Sequence, residues 1–236
     1  IRRVEKTLER ELAQLSTFTH DWASWDDTVH YVQTRDETYL AANLMEETYT
    51  AAKINLMAIL NTEGELYYFG YYDPMVAELM PDEELKAWII KNFKHLIPPR
   101  QTDAIHGILN TSKFPLLVSA RHILNSLSLG PSRGIFVMGR HMTPQFLENM
   151  QQMTELNFQI LDRPSQMNER ETLMYQALRS LTPTDPRSIL VEPLNDHTIL
   201  GFSLLHDLGG QLPMLLRMEM PRNIYQQGRS TAYSLV

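Results

Sequence analysis

The sequence predicts an α+β fold: a long N-terminal helix, an antiparallel sheet with flanking helices, and a second, smaller β module near the C-terminus. Three observations predict it. An apolar stripe at steps of three and four runs through Val4, Leu8, Leu12, Leu15, Phe18 or Thr19, Trp22 and Trp25. Neighbouring strand-like runs are joined by short turns, the connection that antiparallel pairs use. Helices and strands do not alternate strictly enough for a parallel doubly wound sheet.

The elements follow in chain order. Arg2, Arg3, Glu5, Lys6, Glu9, Arg10 and Glu11 occupy the other faces of the first helix, which runs for roughly six turns. Such a stripe asks for partners along its length, its own domain at one end and a second copy at the other. Ser24 with Asp27 predicts a capping box that restarts a short helix through Tyr31 and Val32, and Thr34 with Glu37 predicts another before one helix covering Tyr39, Leu40, Leu44, Tyr49 and Ala52. The apolar run 54–60, the turn 61–64 and the aromatic run 65–72 predict a hairpin in which Gly64 supplies a positive φ. Pro81-Asp82 opens a helix through Leu85, Trp88, Ile89 and Phe93, stopped by Pro98-Pro99. Strands are expected at 104–110, 114–123 and 133–141. Thr143 as N-cap with Pro144 at the first helical position predicts a helix to about Thr154.

Residues 157–161 read as one more strand of the first sheet, and 165–180 as a polar helical connector. Pro183 and Pro186 mark a boundary before strands near 188–192, 197–206 and 212–220, and Pro221 starts a closing helix containing Ile224, Tyr225 and Tyr233. The expected division is a stalk helix 1–24, a sheet domain 25–163, a β module 164–221 and an exit helix 222–236. The run 130–140 and the run 209–219 echo each other, each a turn and an apolar strand before a helix. That echo fits two related sheet modules in tandem and equally fits any hairpin that precedes a helix.

Composition excludes several function classes. A net charge of −7 over 236 residues argues against nucleic acid and against adhesion to an anionic leaflet, both of which need clustered Lys and Arg. The absence of cysteine excludes disulfides, thiolate metal sites and cysteine nucleophiles. No run reaches the ~18–20 apolar residues of a membrane span. The chain begins at Ile1 inside one helical pattern and stops at Val236 inside another, as expected for a trimmed segment or for a piece lying between two membrane spans. There is no G-x-S-x-G elbow, H-E-x-x-H pair, phosphate loop or dinucleotide fingerprint, and the eight histidines are scattered. No enzyme activity, metal or cofactor is expected.

The most specific stretch is Asp21-Trp22-Ala23-Ser24-Trp25-Asp26-Asp27, whose two tryptophans share one helix face. Either they are core, or they mark a site. Together with Asn43-Leu44, the run 55–60 leading to Gly64, the run 115–124 and Arg133-Gly134-Ile135-Phe136-Val137-Met138-Gly139-Arg140, this stretch resembles the CHASE4 family of extracytoplasmic sensor domains in bacterial and archaeal receptors. The resemblance covers about residues 1–162, and 163–236 look like a membrane-proximal continuation. It implies a PAS- or Cache-like sheet, placement between two transmembrane helices, and output through histidine kinase, diguanylate cyclase or phosphodiesterase modules in a cyclic di-GMP or two-component pathway. It supplies no catalytic residues.

The expected function is reception of a small molecule, relayed by a helix displacement in a receptor that acts as a homodimer. The alternative is an interaction module that dimerises or binds a periplasmic partner protein. Trp25, Tyr31, Tyr39 and Asn43 are the expected ligand-binding residues from the covering helices, with Tyr67 and Phe69 from the strand, where they alternate with Tyr68. Arg121, in an otherwise apolar strand, is the expected anion anchor, or else forms a structural ion pair with Asp26 or Asp27; Arg140 has the same two readings.

Overall fold

The computed structural model describes residues 1–181, 188–210 and 213–222. They form two compact units, one of residues 9–146, the other of residues 1–8 with those from 147 onward. The helices are α1 (Arg2–Ala23), α2 (Asp26–Thr34), α3 (Thr38–Asn43), α4 (Glu46–Ala52), α5 (Glu83–Lys91), α6 (Pro144–Thr154) and α7 (Glu169–Arg179). The strands are β1 (Leu56–Asn61), β2 (Leu66–Asp73), β3 (Glu78–Leu79), β4 (Ile105–Leu109), β5 (Leu116–His122), β6 (Gly134–His141), β7 (Asn157–Leu161), β8 (Leu190–Pro193), β9 (Thr198–Leu205) and β10 (Met214–Pro221). The α+β class and the long first helix are as expected. Among the described residues no helix is long and apolar enough to cross a membrane.

The stripe of α1 is buried at Val4, Leu8, Leu12, Leu15, Thr19 and Ala23, at steps of four, four, three, four and four. These six positions are buried within the chain itself, while Phe18, Trp22 and Trp25 of the same stripe are half-buried.

The unit of residues 9–146 is built on a six-stranded sheet in the order β3-β2-β1-β6-β5-β4, with every neighbouring pair antiparallel. The central strands β1 and β6 are buried along most of their length, which is why 54–60 and 134–139 read as continuous apolar runs rather than alternating ones. Pairing register places Tyr68, Ile59, Phe136 and Arg121 in one row on one face. This face meets helices: Trp22 packs on Phe136 at 6.3 Å, and the Tyr49 and Tyr68 hydroxyls share a hydrogen bond of 2.8 Å. Phe69, Ala58, Val137 and Ala120 form a row on the opposite face. Asp82 caps α5 by accepting from the Leu85 amide, and Leu85, Ile89, Phe93 and Leu96 are buried.

Two caps differ from expectation. The residue before α2 is Trp25, without a side-chain cap, while Ser24 Oγ is shared with His20 Nδ1. The orphan amide of Asp26 instead donates to Ser126 Oγ, and the Ser126 amide donates back to Asp26 Oδ1, both at 3.1 Å. Before α3, Thr34 Oγ1 accepts from the Asp36 amide and Asp36 Oδ1 accepts from the Thr38 amide, so Asp36 performs the role expected of Thr34 with Glu37. The single helix expected over 39–52 is two, α3 and α4, parted at Leu44 and an extended Met45. Tyr39, Leu44 and Tyr49 are all buried, yet at ~100° per residue a continuous helix would point them in three directions. Breaking it buries all three.

In the other unit the four-stranded antiparallel sheet runs β7-β10-β9-β8. This corrects the placement of 157–161 in the first sheet: Asn157–Leu161 pairs with β10 from Leu215 to Glu219. The first sheet therefore ends at His141, and the expected break at 163 does not separate the sheets. A capping box of Asn168 and Glu171 starts α7, whose Tyr175 and Leu178 pack on Leu200, Phe202 and Leu215. On the chain's first residues, Glu5 accepts a 2.7 Å hydrogen bond from Ser203 Oγ, and a Cβ at Gly201 would come within 3.0 Å of Ile1 Cδ1. The echoed segments become β6 and β10, each interior to its own sheet. Pro221 ends β10 opposite Thr198. The boundary prolines 183 and 186, and the closing helix with Ile224, Tyr225 and Tyr233, lie outside the described residues.

Candidate functional site

The side chains singled out from sequence divide between two places. On the helix-covered face, Trp25 packs on Tyr39 at 5.9 Å and Tyr39 stacks on Tyr31 at 5.1 Å. The Tyr39 hydroxyl is hydrogen-bonded to Thr28 Oγ1, and burial pushes it up to about 12. Asn43 is occupied locally, donating to the Tyr39 carbonyl at 2.9 Å. Tyr31 and Tyr39 are buried and half-buried Trp25 packs against Tyr39, with Asn43 at the edge of this aromatic cluster.

Tyr67 and Phe69 do not share a side of the strand as alternation requires. The register slips between Ile59 and Leu60, where Tyr68 and Leu66 are the partners, leaving Tyr67 as the extra residue of a β-bulge. The Tyr67 hydroxyl accepts from Asn61 Nδ2, its carbonyl accepts from the Tyr31 hydroxyl at 2.9 Å, and the Arg35 guanidinium lies over its ring. Phe69 belongs to the other face, in the row with Ala58.

Arg121 joins neither group and does not meet Asp26 or Asp27. Its guanidinium donates to Ser16 Oγ at 2.9 and 3.2 Å and to the carbonyls of Thr102 and Asp103 at 3.0 and 3.4 Å. It ties α1 to the loop before β4. Arg121→Ala is therefore expected to lower stability by about 2 kcal/mol, the scale of hydrogen bonds from a half-buried charged donor, without changing occupancy of the groove described next. Urea titration and a binding assay on the same variant check both halves. Arg140 is likewise structural, paired with Glu11 at 3.4 Å and donating to the carbonyls of Lys53 and Ala52.

An open groove of about 470 Å³ lies along β2. Its wall is residues 66–71; its lip is Leu79, Met80 and Pro81; Glu83 and Lys86 of α5 stand at its rim. Sequence periodicity marked the aromatic wall but not the lip. The lip is brought over by β3, whose Leu79 pairs with Tyr72, and by the Met80 amide, which donates to the Tyr71 carbonyl at 2.9 Å.

Beneath the wall sits a buried polar network. The Phe114 carbonyl is only an acceptor, so His141 Nδ1 carries the proton it receives at 3.0 Å, and Nε2 accepts from the Tyr71 hydroxyl at 2.9 Å. Burial pushes His141 down to about 4 and Tyr71 up to about 12. Lys113 Nζ reaches Asp73 at 2.7 Å and Asp82 at 3.7 Å, the two ends of the segment that carries the lip. Burial alone would raise the Asp73 carboxyl, but the Lys113 hydrogen bond and the amides of Met75 and Val76 outweigh it and hold it below the usual carboxylate range. Among the described residues no three His, Asp or Glu converge as a metal site would require.

Residues 7–161 match the family profile described as the CHASE4 domain. Over 224 residues, 95% of this chain, the sequence is 24% identical to the methanogenesis regulatory histidine kinase FilI of Methanothrix harundinacea, and the chain spans 24% of that protein's length. A domain of a Vibrio parahaemolyticus protein ascribed to the sensory box/GGDEF family has the same fold at a TM-score of 0.57, with 12% identity and 94% of each chain covered. The ligand-binding domain of the Campylobacter jejuni chemoreceptor Tlp3, solved in complex with L-valine, has a TM-score of 0.50 and 12% identity, covering 94% of this chain and 90% of that one.

Proposed function

The chain belongs to the CHASE4 domain family, and from that premise we propose that it is the extracytoplasmic sensor region of a membrane receptor, receiving a small molecule in the groove along β2. The observation that carries this reading is the groove itself, an aromatic-walled concavity of about 470 Å³ inside the matched residues. Its size is that of ordinary small-ligand pockets, ~300–1,000 Å³. The likeness to the histidine kinase FilI supports a kinase as the output, and the fold shared with the L-valine-bound domain of Tlp3 supports ligand reception. The role is reception rather than catalysis. Binding favours one arrangement of the receptor only if the ligand contacts that arrangement better, and α1 is the element through which the bound state would be passed on.

The experiment is a thermal-shift screen of metabolites on the whole chain and on Phe69→Ala. A ligand that sits in the groove raises the melting temperature of the first and loses most of that effect on the second. A screen without any stabilising compound, or a stabilisation that ignores Phe69, sinks this reading.

A further inference from the structure

The charges around the groove are already matched to one another, and this bears on what it accepts. At its rim, Lys86 Nζ lies 3.6 Å from Glu83 Oε2. Arg35, over the Tyr67 ring, lies 3.9 Å from Glu65. Lys113, beneath the wall, is shared between Asp73 and Asp82. A ligand carboxylate brought to Lys86 would also sit beside Glu83, and an ammonium brought to Glu83 would sit beside Lys86. Neither ion meets an isolated opposite charge at the rim, and each would give up water to enter an aromatic wall. Half-buried Phe69 offers flat apolar surface instead, and the lip residues Leu79 and Met80 stand exposed, at 39% and 40%. Methionine adapts its shape to an irregular apolar guest.

We propose that the groove takes a neutral, flat apolar molecule, an uncharged aromatic ring above all, and discriminates against ionic analogues of the same shape. This rests on the groove being the ligand site and adds the chemical class. Amino acids fall outside that class.

Three probes of one shape test it: benzyl alcohol, benzoate and benzylamine as its ammonium. Each is titrated into the whole chain carrying 13C-methyl methionine, with the Met80 resonance identified by its loss in Met80→Leu. Benzyl alcohol is expected to shift the Met80 methyl saturably, with the two ions weaker by about tenfold or more, and Phe69→Ala is expected to weaken the alcohol by a similar factor. If benzoate or benzylammonium moves Met80 at least as tightly as the alcohol, the neutral class is overturned while the groove stands as the site. If no probe moves Met80, and a compound found by thermal shift also leaves it unmoved, the groove reading itself falls and takes the class with it.

Discussion

Replacing Gly134 by alanine is expected to destabilise the unit of residues 9–146 by about 4 kcal/mol, the sum of a strained backbone and a collision that cannot relax. Gly134 has φ +152°, and a Cβ there would lie 2.0 Å from the Leu60 carbonyl oxygen and 3.1 Å from the Asn61 Cα. Both are backbone atoms of β1, locked in register against β6. Denaturant unfolding followed by tryptophan fluorescence reads this unit selectively, because Trp22, Trp25 and Trp88 all belong to it. Gly130 is the control: its φ is +91° but nothing lies within 4 Å of its Cβ position, so Gly130→Ala is expected to cost only about 1–2 kcal/mol of backbone strain. Equal losses at the two positions would show that the start of β6 moves away from β1 freely.

Acidification from pH 7 to pH 4 is expected to remove about 3 kcal/mol through His141 alone, at 1.36 kcal/mol per unit of displaced pKa. In the unfolded chain the imidazole takes a proton near its ordinary value of 6.5, while in the folded protein burial holds it at about 4. Above pH 6.5 the ring is neutral in both states and stability is full. Between 6.5 and 4 only the unfolded state binds the proton, so stability falls throughout that window. Below 4 both states are protonated and the loss stops growing. The groups facing the ring are the Tyr71 hydroxyl, the Phe114 carbonyl, Lys113 and Asp82; the cation of Lys113 disfavours protonation and Asp82 favours it. Asp73, whose carboxyl is held low, contributes its loss only below the unfolded carboxylate range, so the two windows separate. His141→Asn keeps an amide donor for the Phe114 carbonyl and removes the titration. Its stability should fall much less between pH 6.5 and 4 than the parent's, and an unchanged slope would place the acid-sensitive group elsewhere.

What the sequence determined by itself is local. The helical stripe of α1, the hairpin around Gly64 with its φ of +88°, the Asp82 cap of α5 and the Thr143-Pro144 start of α6 were all legible, because each depends on residues a few positions apart. The family was legible as well, since its motifs stand in unbroken runs within 7–161. Of the residues expected around one ligand, only Tyr67 and Phe69 line the groove, and a bulge turns Tyr67 toward Tyr31 and Arg35.

The tertiary structure decided the rest. Ser126 caps a helix 100 positions away, and Asn157–Leu161 pairs with β10 rather than with the sheet it follows in sequence. Arg121 spends its donors on Ser16 and two loop carbonyls. The lip of the groove comes from a two-residue strand that no periodicity could announce. Periodicity and capping report the angle between near neighbours along the chain, whereas ladder partners, the side of a sheet that a ring faces and the oxygen that satisfies a guanidinium are set by residues scores of positions apart, whose proximity exists only once the chain has closed on itself.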